Sequence, residues 1–406
     1  MPPPGPARVY YGWIVAGALS VTETVSWGII YYGFPVFLGP MELQLEASRL
    51  AVTGAFSLGM AVSALAALPV GRWLDGRGPR AIMTAGSCLG VALLLAWSRV
   101  ESLPALYLVW GLMGLAMAAT LYEPAFAAVV SWFPGHHRDR ALLVVTLAGG
   151  LASTIFMPIS AWLLEWLGWR AALVALAAIL AVLTVPLHAF ALRQSPHAGR
   201  VRATSPREEG EQASVPLAGA LRTPTFWVLA AAFVISNFTT ISVTVHLIPY
   251  LSDRGYSPAV AAIMIGWIGA AQLLGRVVFA PLAGRVGHRW MTAAIFVAQA
   301  LGLVQLALAT HMPTLVPMIV LLGASNGMST LARASSLAEI FGPRHYGSIG
   351  GAIALGANGA RAVGPVGASL LQVMLGGYEP VFWLLSGALV VAGVAVLCTR
   401  ADDGRA

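Results

Sequence analysis

Twelve apolar runs, each long enough to cross a bilayer as a helix, follow one another through the 406 residues. A crossing helix needs about 20 apolar residues to span roughly 30 Å of hydrocarbon. The runs fall at 10–38, 48–70, 80–98, 103–131, 140–164, 170–192, 224–250, 258–283, 289–310, 313–341, 345–376 and 378–398. They are continuous rather than alternating, and inside lipid the backbone must pair within its own segment. Helices are therefore expected and barrel strands are not. Only 10% of residues are charged, against roughly 25% in a soluble domain, which excludes a soluble enzyme or a disordered regulator.

All 23 basic residues are arginine, and they choose a side. Sixteen fall in the termini and even-numbered loops, whereas only Arg49, Arg99, Arg170 and Arg254 fall in odd-numbered loops. By the positive-inside rule both termini are expected in the cytoplasm of a bacterial-type cell, with the chain multi-pass in its inner membrane. The net charge of +7 is thereby assigned to topology, so no nucleic-acid partner is expected. The opening MPPPGPARVYYGW lacks the pattern of a removable leader. Cys88 and Cys398 are too few for a disulfide framework, and His136 and His137 have no companion ligands, so neither a metal nor another cofactor is expected.

A polar stretch divides the runs six and six. The expected organisation is an N-terminal bundle over 1–192, a cytoplasmic linker over 193–223 and a C-terminal bundle over 224–406. The linker's SPHAGRVRATSPREEGEQAS cannot bury a core. LAGALRTPTFW after it fits a short interfacial helix. The loop after run two, GRWLDGRGPR, returns after run eight as APLAGRVGHR. Gly78 aligns with Gly287 and Arg80 with Arg289, at an offset of 209 residues. A repeat of half the chain implies duplicated six-helix bundles.

On these residues the sequence resembles the major facilitator superfamily. GRWLDGRGPR is similar to that family's loop motif, keeping Gly71, Asp75, Gly78 and Arg80, departing at Gly76 and Pro79, with Arg77 as a shifted charge; the second copy has Gly284 where the acid would be. YYGWIV opening run one, WGIIYYGFPVFL closing it, and Arg276 in run eight resemble the monocarboxylate-porter and oxalate:formate-antiporter branch. There the resemblance implies an acid four residues before the arginine, where this chain has Gln272. It implies two pseudo-symmetric bundles around a central cavity, and a gating role for the loop residues Gly71, Asp75, Arg77, Gly78 and Arg80. Asp75 itself can cap a neighbouring helix or pair with Arg77 or Arg80.

Glu23, Glu123, Arg276, Arg333 and Arg361 lie inside the apolar runs. Facing lipid, they would together cost roughly 12–17 kcal/mol, so they must face a cavity or one another. Arg276, with Gln272 one turn before it, is expected to hold an anionic substrate, with Arg333 near Asn326 and Arg361 near Asn358 as helpers or as partners of a buried glutamate. Glu23, Trp27 and Tyr31 share a helical stripe, and Glu23 or Glu123 could load a proton. Asn237, Thr240 and Thr244 make a polar stripe on run seven; His188 and His246 are expected at the interfaces. Small residues recur at every fourth position, Ala55 to Gly71 in run two and Gly356 to Ala368 in run eleven, where close helix contact is expected.

The expected protein is a monomeric secondary transporter for a small organic anion, monocarboxylate-like, working by alternating access. Proton coupling, anion exchange and facilitated passage all stay open. The alternatives are efflux of a drug, metabolite or metalloid, and a non-transporting receptor or assembly factor. No hydrolase elbow, zinc-protease motif or P-loop supports an enzyme or an ATP-driven pump.

Overall fold

The computed structural model describes residues 10–195, 214–256 and 258–399. The 196–213 part of the expected linker lies outside them. So do Arg8, Arg200, Arg202, Arg207, Arg400 and Arg405 and the side chains of Arg49 and His136, all counted above.

The described residues form helices in two bundles of six. Span one covers Tyr11–Gln44, spans two and three are Arg49–Arg77 and Pro79–Trp97, and span four joins Leu103–Thr120 to Tyr122–Trp132. Span five begins at Gly135–Gly150 and runs on into Ala152–Pro186, which also holds span six. Gly168, at φ 73°, makes the turn between the two spans. Arg170 just beyond donates to the carbonyls of Ser98 (2.6 Å) and Val100 (3.1 Å), anchoring that turn to the end of span three. Spans seven to twelve are Pro224–Asp253, Pro258–Val286, His288–Leu308, Val316–Ile340, Tyr346–Leu375 and Tyr378–Cys398. Mean hydropathy alone marks 10 candidate spans among the described residues, because spans five and six fuse and the glycine-rich span eleven falls short.

Loops are shorter than the sequence implies. Helix persists through GRWLDGR as far as Arg77, and only Gly78, at φ 75°, breaks it. Gly287, at φ 85°, makes the same break in the second copy. A side chain at either position would strain the backbone, and a new helix starts immediately after each, with Pro79 well suited to a first helical position. PGHHRDR likewise contributes a helix from Gly135 rather than an open loop. The expected interfacial helix is a single turn, Leu217–Ala220. The residues before it dock on the end of span ten, where Val215 N–H donates to Phe341 O at 3.0 Å.

Aromatic packing fills the first bundle away from its arginine-rich end. Phe34 and Trp97 both sit against Trp110, with ring centroids 4.6 and 5.0 Å away in edge-on contact. Between the bundles, glycine permits backbone contact. A Cβ on Gly71 would lie 2.0 Å from Gly347 O, and one on Gly351 would lie 2.3 Å from Ala67 O. The small-residue stripes are thus corrected in part. Ala67 and Gly71 of span two meet Gly351 and Gly347 of span eleven at the arginine-rich end. Gly59 instead faces Trp110 and Gly114 of span four, while Gly356 and Gly364 face Val234 and Ile241 of span seven.

Candidate functional site

A cavity of about 650 Å³ lies between the two bundles, lined from both. Arg276, Gln272, Arg333, Arg361, Asn326, Asn358, Asn237, Tyr31 and Glu123 all reach its wall. An ionisable or amide side chain has few tolerable places in an apolar helix, which is why the sequence could point to them.

Each arginine is held differently. Arg333 Nη2 donates to both carboxylate oxygens of Glu123, at 2.9 and 3.2 Å, joining span ten to span four. Arg361 Nε donates to Asn237 Oδ1 at 2.8 Å, and Asn237 Nδ2 in turn donates to Phe233 O at 2.8 Å, which fixes the amide's orientation. Arg276, 8% exposed, sends Nη1 to Thr146 O of span five at 2.6 Å, and its buried Nε has no hydrogen-bond partner. Gly150 makes room for that guanidinium, since a Cβ there would sit 2.4 Å from Nη1. Asn326 Oδ1 accepts from Thr240 at 3.3 Å. Three guanidiniums and one carboxylate line the cavity, so its formal balance is 3 − 1 = +2.

Glu23 departs from expectation. It is fully buried and absent from the cavity wall, behind Trp27, whose Nε1 donates to its Oε2 at 3.1 Å; Oε1 has no partner. A π-helical turn follows over Trp27–Tyr31, closed by Tyr32 N–H to Trp27 O at 2.9 Å. A wider turn shifts the register of the residues that follow it. It turns both Tyr31 and Tyr32 to the cavity, and Tyr32 lies within the electrostatic reach of Arg276 and Arg361. Tyr32 was not singled out in the sequence, and neither was Tyr122, which also lines the cavity and lies within the electrostatic reach of Arg276. The YY pair was visible, but nothing in the sequence announces a π turn.

His188 and His246 are buried within the protein. His188 Nδ1 pairs with Ser87 Oγ at 2.8 Å, and His246 Nε2 donates to Pro365 O at 3.0 Å. Neither reaches the cavity.

At the arginine-rich end two clasps join the halves. Asp75, in the last turn of span two, accepts from the N–H groups of Gly347 (2.7 Å) and Ser348 (2.8 Å). It caps the start of span eleven, where orphan N–H groups and the helix dipole favour an anion. Arg77 does not pair with it, but lies 4.3 Å from the Trp73 ring centroid. In the second clasp His288 bridges two acids, with Nε2 2.9 Å from Asp139 Oδ2 of span five and Nδ1 2.6 Å from Glu339 Oε2. Ser335 donates to the other Asp139 oxygen. An imidazole has two N–H groups to donate only when protonated, so this bridge is complete with His288 as the cation.

Twelve helices in two repeated bundles, parted by a polar cavity, define a transporter fold. Sequence comparison adds the family. The model of the major facilitator superfamily matches residues 19–271 and 237–405, and the chain belongs to that superfamily. Monocarboxylate transporter 13 of Bos taurus is 29% identical over 400 residues, covering 96% of this chain and 89% of that one. The oxalate:formate antiporter of Oxalobacter formigenes is 27% identical over 241 residues, 58% of this chain and 54% of the other. Among solved structures, the E. coli fucose:proton symporter superposes with a TM-score of 0.73 at 13% identity over 96% of this chain and 98% of that one. The human organic anion transporter MFSD10 does so with 0.70 at 15% over 96% and 100%. At such identity the structural likeness concerns the fold. The chain is a multi-span membrane transporter for a small molecule, not an enzyme.

Proposed function

We propose that the cavity carries a small organic anion, of monocarboxylate type, across the cytoplasmic membrane by alternating access. The observation that supports this most is its uncompensated charge of +2. Glu123 neutralises Arg333, whereas Arg276 and Arg361 meet only a backbone carbonyl and an amide among the hydrogen bonds that hold them. An anion is the missing partner, bound by Arg361 and Arg276 and oriented by Tyr31, Asn237, Gln272, Asn326 and Asn358. Arg361 takes precedence over the more buried Arg276, reversing the order expected from sequence. The names of the relatives agree with an acid substrate. Efflux of a neutral compound would instead need a cavity whose charges cancel.

In this reading Glu123 is the coupling group. Its bond to Arg333 spans the halves, and a proton on Glu123 would release that arginine as the bundles rock. Glu23, behind Trp27, is a secondary proton site. The Asp75 and Asp139 clasps hold the cytoplasmic face shut, with Gly71, Arg77, Gly78 and Arg80 shaping the first of them.

The test is uptake of labelled lactate and oxalate into proteoliposomes, with and without an inside-alkaline gradient, and after preloading with unlabelled acid. Uptake stimulated by the gradient or by preloading, and lost in Arg361→Gln, is the expected result. Failure of a wide acid panel in every condition, with folded protein, would end the anion reading.

A further inference from the structure

A second cavity, of about 640 Å³, opens between spans three and six at the arginine-rich end of the first bundle. Arg77, Arg80 and Arg193 stand around it, with Gln194 and Thr84, over a floor of Ala81, Ala85 and Ala189. None of the three arginines has a carboxylate partner among the described residues. Two of them are placed by aromatic rings, Arg77 4.3 Å from the Trp73 centroid and Arg193 4.7 Å from that of Tyr11. Stacking of this kind fixes a guanidinium while leaving its edge free to donate. Span three also begins here, and its unpaired N–H groups add positive potential.

We propose that this groove binds the phosphate headgroup of an anionic membrane lipid. Three guanidiniums around one pocket supply the charge and the forked donors that a phosphate takes. The apolar floor separates a lipid from a free phosphate ion. Phe190, next in the chain to Ala189 of the groove, and Val182, earlier on span six, are 74% and 70% exposed, a surface suited to an acyl chain. Basic pockets between helices on the cytoplasmic side have this chemistry. The site is separate from the central cavity and stands or falls independently of the substrate reading.

The full-length protein in detergent would be titrated with phosphatidylglycerol, phosphatidylethanolamine or inorganic phosphate, and bound adducts counted by native mass spectrometry. Phosphatidylglycerol should bind at least ten-fold more tightly than phosphatidylethanolamine, and millimolar phosphate should fail to displace it. The double variant Arg80→Gln/Arg193→Gln should weaken it about thirty-fold, since each arginine is worth about five-fold near a membrane surface. Arg80→Lys/Arg193→Lys should retain most of the affinity, which separates lost charge from lost folding. Arg285→Gln/Arg289→Gln, which removes equal charge from the second copy of the loop, outside the groove, should change little. Equal binding of the two lipids, or equal loss in both glutamine pairs, would overturn the site. Displacement by millimolar phosphate would overturn the lipid in favour of a free anion.

Discussion

Asp139 and Ser348 stand 209 residues apart (348 − 139 = 209), the offset that aligns the two loop copies, and each ties its helix to the opposite half. Ser348 N–H donates to Asp75 Oδ2 at 2.8 Å, whereas Asp139 Oδ2 accepts from His288 at 2.9 Å. The second copy has thus kept the clasp and inverted it. In the first the acid sits at the end of span two and the donors on span eleven. In the second the acid sits on span five, and the donor follows Gly287. Gly284, where an acid was missing, marks an exchange of roles rather than a lost contact.

Replacing Asp75 by Asn removes the charge from two hydrogen bonds that join span two to span eleven, the gate proposed for the arginine-rich face. Bonds to a charged group contribute about 1.5–3 kcal/mol each, so a shift of ten-fold or more toward the open state is expected. With Cys88 and Cys398 replaced, a cysteine at Ser329 in the cavity wall would report it by faster labelling with an impermeant maleimide from the cytoplasmic side. Unchanged labelling would remove Asp75 from the gate.

Asp139→Asn and His288→Gln should not act independently. Residues in one hydrogen-bonded network couple by about 0.5–3 kcal/mol, so the double variant should open the face less than the sum of the singles predicts. Strict additivity in the same labelling assay would show that the contact carries no closing energy.

Gly71→Ala should impede closure, because its Cβ would meet the Gly347 carbonyl at 2.0 Å and backbone cannot swing aside as a side-chain tip can. Gly76→Ala, whose Cβ meets nothing within 4 Å, is the matched control. Transport should fall several-fold in the first and stay near the parent in the second. Equal rates would mean that the interface yields easily.

Glu123→Gln leaves Arg333 as an uncompensated cation. Breaking a buried pair from one side costs about 3–5 kcal/mol, and this pair, partly open to the cavity, should lie at or below the lower figure. Thermal unfolding in detergent should shift down by several degrees. The exchange Glu123→Arg/Arg333→Glu should recover part of the loss; no recovery would show that the groups matter singly.

Much of this was legible because lipid punishes exceptions. Twelve long apolar runs left few folds, and arginines and asparagines within them had to face a shared cavity. What escaped depended on local geometry. Glu23 sits behind Trp27 rather than on the cavity wall, and the π turn at Trp27–Tyr31 puts Tyr32 there beside Tyr31. The Asp139–His288 clasp was hidden in segments that read as topological loops, since pairing across 149 residues leaves no periodic trace. The stripe in span eleven was visible, but Gly356 and Gly364 in it face span seven rather than span two: small residues announce close contact without saying with which helix.

The central claim is that the cavity's surplus positive charge is a carboxylate site. Isothermal titration of the purified protein with lactate and with lactamide, its neutral isostere, tests it most directly. The account predicts that lactate binds and lactamide does not, and that Arg361→Gln weakens lactate at least ten-fold. Equal binding of acid and amide, or full affinity in Arg361→Gln, would contradict it.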